Sequence, residues 1–97
     1  MIKVLLKRVG KPFELIEIPN SLEACQELVG GYIETVTLEE DLLLVCNEEG
    51  LIRGLPSNPW LGYDFRGDFF LVGRDEDAFT DVPEAMRCLA MREEDPA

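Results

Sequence analysis

The apolar periodicity predicts an α+β fold: a mostly antiparallel sheet of about five strands with two helices on one face, in the order ββαββ(β)βα. Three observations carry this. Short apolar or alternating runs recur between turn signals. Two stretches show helical spacing behind a capping residue. Most strands come in neighbouring pairs joined by short turns, which favours hairpins over crossovers.

Ile2 to Val9 reads as the first strand, with Ile2, Val4 and Leu6 on one face and Lys3 and Lys7 among the intervening positions. Gly10-Lys11-Pro12 is a turn, and Phe13 to Ile18 is the partner strand. Asn20 stands at the start of a helix as its cap, with Glu23 completing a capping-box pattern. Leu22, Cys25, Leu28 and Val29 form its apolar stripe, and Gly30 is placed to end it in a left-handed conformation. Tyr32 to Leu38 is rich in β-branched residues and predicts a strand. After a turn at Glu39-Glu40-Asp41, the apolar run Leu42 to Cys46 suits a central strand covered on both faces.

Asn47 to Gly50 is a further turn, and Leu51-Ile52-Arg53 is expected to be a short strand. Leu55 to Tyr63, with two prolines and a glycine, predicts a loop. Asp68 to Gly73 predicts a strand, and Arg74 to Thr80 an acidic loop. Asp81 then caps a last helix with Glu84 three residues on, and Val82, Ala85, Met86, Leu89 and Ala90 supply its core-facing stripe. The tail at 93–97 is expected to fray.

The chain has 97 residues and reads as one small domain, 1–97; 46% of its residues are hydrophobic, enough for a core of its own. No apolar run approaches the roughly 20 residues of a membrane span, and the cations within the first strand do not follow the order of a signal peptide. Three widely spaced cysteines, Cys25, Cys46 and Cys88, make a poor disulfide framework and fit a reducing cytoplasm. The sequence contains no histidine, which removes the side chain most used for proton transfer near neutral pH.

Charge is the strongest compositional signal. Twenty acids face nine bases, for a net charge of −11. The imbalance is uneven: residues 1–20 hold four bases and two acids, and the remaining 77 residues hold five bases and 18 acids. Such a field repels nucleic acid and anionic membranes and attracts a basic protein surface. It also serves plain solubility.

Several features are candidate sites. Each cysteine lies on or beside an apolar stripe and reads as a small core residue rather than a nucleophile. The glycines spell no phosphate loop, because Gly30-Gly31 runs from helix to strand, the reverse of the order that aims amides at a phosphate. No catalytic residue, metal site or cofactor is implied. The acids Glu39, Glu40, Asp41, Glu48, Glu49, Asp75, Glu76, Asp77 and Asp81 form a candidate interaction surface, or else simply solvated turns. Tyr32, Asn47, Arg53, Asn58, Trp60 and Tyr63 form a second candidate, a loop that would hold a small ligand or a partner. The alternative there is that Trp60 and Phe65 plug the end of the core.

Four blocks occur in order: Leu28-Val29-Gly30-Gly31-Tyr32-Ile33-Glu34, Cys46-Asn47-Glu48-Glu49-Gly50, Leu55-Pro56-Ser57-Asn58 and Gly67-Asp68-Phe69-Phe70-Leu71-Val72-Gly73. Over them the chain resembles a family of small uncharacterised proteins carried by phages and mobile elements of bacteria. That resemblance implies an accessory gene and transfers no catalytic residue. Together with the charge it leads to an expected function: an acidic inhibitor that binds the basic surface of a host nucleic-acid-handling defence enzyme, of restriction or CRISPR type. No direct contact with nucleic acid or membrane is expected. The alternatives are a pocket protein that sequesters a nucleotide signal, completed by a homo-oligomer, and a metal-dependent enzyme using the carboxylates.

Overall fold

The computed structural model describes residues 1–93; residues 94–97 of the expected frayed tail lie outside the described residues. Strand β1 (Ile2–Lys7) pairs with β2 (Phe13–Ile18) in continuous antiparallel register from Ile2↔Ile18 to Lys7↔Phe13. Helix α1 spans Leu22–Val29. Ser21 caps it in place of Asn20: its hydroxyl accepts the Ala24 N–H at 3.2 Å, while the Asn20 amide donates to the Phe79 carbonyl at 3.1 Å. With the cap one residue later, Glu23 no longer sits three positions on, and the capping box does not form. Leu22 is accordingly exposed, and the buried stripe narrows to Cys25 and Val29 with Leu28 half-buried. Gly30 ends the helix at φ 78°, donating its N–H to the Gln26 carbonyl at 2.8 Å.

Strands β3 (Ile33–Glu39) and β4 (Leu42–Asn47) form the next hairpin, whose register shifts between Thr37 and Glu39. Every residue of β4 is buried, as its unbroken apolar run requires of a central strand. Leu51-Ile52-Arg53 is not a strand. The Arg53 N–H donates to the Glu49 carbonyl at 2.8 Å and the Gly54 N–H to the Leu51 carbonyl at 3.1 Å, so the segment closes on itself in tight turns. Within the expected loop lies a small hairpin, β5 (Pro59–Trp60) with β6 (Tyr63–Asp64), joined by Leu61 and Gly62, both at positive φ.

Strand β7 runs Phe69–Asp75, longer than expected, and turns through Glu76 and Asp77 into β8 (Ala78–Thr80). The expected acidic loop is therefore mostly a hairpin. The last helix is also corrected. Asp81 caps no helix; it and Val82 lie beside β1, hydrogen-bonded to the Lys3 backbone, and Pro83 is extended at ψ 138°. A short 3₁₀ turn, Glu84–Met86, precedes α2 (Cys88–Glu93).

The main sheet has the order β2-β1-β7-β4-β3 with β8 beside β7, and each of its pairings is antiparallel. Alternation along the strands divides the core in two. Val4, Leu6, Val45, Phe70 and Val72 face α1. Leu5, Leu44, Phe69 and Leu71 face the opposite side, where Val82, Met86 and Leu89 of the C-terminal segment and Trp60 and Phe65 of the 59–65 segment pack. The helices thus cover opposite faces, not one. A sheet apolar on both faces needs a cover on each, and neither helix is long enough to supply both. Among the described residues no helix is long and apolar enough to cross a membrane.

Candidate functional site

The β4–β7 register, with Leu42 opposite Gly73, sets the start of β4 beside the end of β7. Two acidic turns are thereby brought together at one end of the sheet. Glu39, Glu40 and Asp41 from the β3–β4 turn and Asp75 and Glu76 from the β7–β8 hairpin line a cleft of about 650 Å³, with Arg74 as its lining cation. The Arg74 N–H donates to the Asp41 carbonyl at 3.0 Å and ties the two turns. Glu76 holds its turn at φ 57°, a conformation unusual for a residue with a side chain.

The nine predicted acids do not form one surface. Glu48 and Glu49 follow β4 and lie at the opposite end of that strand. Asp77 lines a separate groove near the start of α1, with Asn20, Cys25 and Phe79. Asp81 is committed to the fold, its carboxylate accepting the Lys3 backbone N–H at 2.8 Å.

The six residues of the second candidate are also divided. Asn47 is buried; its amide donates to the Val29 carbonyl at 3.0 Å and its oxygen accepts the Glu49 N–H at 2.7 Å. Arg53 reaches the Gly30 carbonyl at 3.3 Å nearby, and Tyr32 is exposed. Asn58 belongs to another cluster. It is 1% exposed, its amide donating to the Lys7 and Gly67 carbonyls at 3.0 and 2.8 Å while its oxygen accepts from Lys7 Nζ at 3.3 Å. Trp60 packs edge-on against Phe13, with centroids 5.2 Å apart, and lies 6.0 Å from Phe69. It plugs one end of the core, as does Phe65 at 5.0 Å from Phe69. Tyr63 is exposed beside Phe65. The six do not line one pocket, and both asparagines already spend their amides on buried backbone.

Residues that the sequence did not single out hold this region. The Asp64 carboxylate accepts the Asn58 N–H at 2.8 Å and the Ser57 hydroxyl at 2.8 Å, and Arg66 stands 3.2 Å away. Those bonds, the Asn58 N–H first, hold its carboxyl below the usual range. Asp68 accepts the Val9 N–H at 2.9 Å. Nothing in the local pattern separates these acids from the solvated ones; only the fold does.

Burial raises the Cys25 thiol, and burial with the nearby Glu34 charge pushes Cys46 up to about 11. Both thiols are therefore neutral and weakly nucleophilic at physiological pH. Among the described residues no three Cys, Asp or Glu side chains are placed to hold one metal ion.

Neither a curated protein nor a solved structure matches the chain. A family model does, across residues 2–93, and on that match the chain belongs to the DUF3846 family, a domain of unknown function.

Proposed function

We propose that this protein acts by binding, presenting its acidic sheet end to a basic surface of a partner protein. The observation that carries the reading is the convergence of Glu39, Glu40, Asp41, Asp75 and Glu76 on one cleft around Arg74. Acids held on two tied turns keep their spacing without a partner, so less conformational freedom is lost on association. The net charge of −11 extends the same field over the molecule and speeds encounter with a cationic surface. The partner class best suited is a nucleic-acid-handling enzyme, whose groove is built for phosphates. The resemblance to accessory proteins of phages and mobile elements makes a host restriction or CRISPR-type defence enzyme the reading to test first, with this chain as its inhibitor.

The test is capture of partners from bacterial lysate on tagged protein at low and high salt. The native chain is compared with a variant carrying Glu39→Lys, Glu40→Lys, Asp75→Lys and Glu76→Lys. A nucleic-acid-binding enzyme retained at low salt, released at high salt and lost with the variant supports the reading. Salt-insensitive capture unaffected by the reversal overturns it.

A further inference from the structure

The two edges of the main sheet are charged differently. On β2, the acids are matched by cations of β1 and its turn: Glu17 stands opposite Lys3, and Glu14 meets Arg8 at 2.8 Å. On β3, Glu34 stands opposite Cys46 and no cation answers it across the strand pair. β3 ends the strand order, and among the described residues its outer side pairs with nothing.

The direction of the unpaired groups follows from the ladder. The Glu48 N–H donates to the Tyr32 carbonyl at 2.8 Å, so Tyr32 and Glu48 form a bonded pair. Antiparallel pairs alternate, and the residues turned towards β4 are then Tyr32, Glu34 and Val36. Ile33, Thr35 and Thr37 turn their N–H and C=O outward, and the register remains regular over this stretch.

Beside this edge, on the face away from α1, a slot of about 220 Å³ opens among Glu34, Val36, Cys46, Glu48, Leu51 and Phe65. Its floor is apolar and its rim carries Glu34 and Glu48. The other charges there, Asp64 and Arg66, neutralise one another at 3.2 Å. A lysine or arginine fits such a slot, its stem over Val36, Leu51 and Phe65 and its head at the carboxylates.

We propose that the outer edge of β3 is a docking site for an extended, cation-bearing segment of a partner protein, which adds as a further strand along Ile33–Thr37 and sets basic side chains against Glu34 and Glu48. The main chain supplies affinity, and the alternating side chains supply selectivity. A second copy of this chain is a poor occupant, because its own edge would bring further carboxylates. The site rests on the reading of the chain as an acidic binding protein, and it specifies a mode of contact which the acidic cleft does not.

The probe is a fluorescein-labelled Lys-Val-Lys-Val-Lys-Val-Lys peptide, titrated with the full chain by anisotropy at low salt. A fully backbone-N-methylated peptide of the same charge serves as control, because it cannot pair with a strand. Saturable binding is expected, weakened about tenfold or more by methylation, by Thr35→Pro and by Glu34→Lys. Thr35 has its N–H outward, so proline there removes the docking donor without breaking a bond to β4. Equal binding of both peptides, or no saturable binding of either, overturns the docking site. If binding instead tracks charge reversal at Glu40 and Glu76 and ignores methylation, the edge proposal falls and the acidic-cleft reading stands. If partner capture is salt-insensitive as well, both fall.

Discussion

The carboxylate of Asp81 accepts the backbone N–H of Lys3, 78 positions away, at 2.8 Å. The neighbouring Val82 N–H donates to the Lys3 carbonyl at 2.8 Å, so both backbone polar groups of Lys3 are met by one short segment. β1 pairs with β7 only from Leu5 to Lys7, and beyond that point residues 81–82 take over its bonding. Asp81→Ala is expected to lower stability by about 1–2 kcal/mol. Asp81→Asn should keep much of that, since its amide oxygen still accepts. Urea unfolding followed by circular dichroism reads both, and an alanine variant with an unchanged midpoint would show that water replaces the carboxylate at no cost.

Gly73 lies under the same crossing. A Cβ built there meets the Asp81 carbonyl and the Thr80 hydroxyl. The backbone oxygen cannot swing aside as a side chain can. Gly73→Ala should therefore cost about 2–3 kcal/mol by overpacking, and should loosen β8 and Val82 before the rest of the sheet. Amide exchange on 78–82 is the measurement, and native protection there would refute the expectation.

Asn58 connects β1 with the segment before β7. Asn58→Ala removes the donor to the buried Gly67 carbonyl and to the part-buried Lys7 carbonyl, for an expected loss of about 2–3 kcal/mol. Asn58→Asp should be no better, because a carboxylate has no donor to offer either carbonyl. A thermal melt separates this from a binding role: a variant as stable as the native chain would release Asn58 for ligand contacts.

The thiols should label in order of exposure. Cys88 is exposed, whereas Cys25 and Cys46 are buried. At pH 8 iodoacetamide should modify Cys88 alone until the chain unfolds. The Cys46 thiol ordinarily ionises at 9.0 and is raised to about 11 in the fold. The folded state thus favours the protonated form. Its contribution to stability is complete below pH 9.0 and is lost as the pH rises towards about 11. Glu34→Gln removes the smaller, electrostatic part of that rise and should make the alkaline loss smaller, with the larger part, set by burial, remaining. Chemical denaturation across that range, with and without Cys46→Ser, checks the sign.

Much of the sheet was legible because its strands are short and flanked by turn residues. The runs at 2–7, 13–18 and 42–47 each have the apolar count of a buried strand, and their places in the order were readable. The faces of the helices were not. An amphipathic stripe says that a helix is covered, not which side of a sheet covers it. The β7–β8 hairpin was hidden by its acids, although Ala78-Phe79-Thr80 behind a two-residue Glu76-Asp77 turn is an available strand signal. The convergence of Glu39–Asp41 with Asp75 and Glu76 depends on β4 pairing with β7, a contact between runs some thirty residues apart that no local pattern carries. The same holds for Asp81, whose cap-like position before Val82 and Pro83 competes with a distant backbone N–H that the sequence cannot show.

β7 lies between β1 and β4, and that placement governs how the chain can assemble. The hairpins β1–β2 and β3–β4 close over short loops and can form early. They have no ladder between them until Phe69–Asp75 arrives to bridge both. Once both hairpins are made and until β7 follows, they are two separate ribbons with unshielded apolar faces, and the cooperative step waits for residues 69–75.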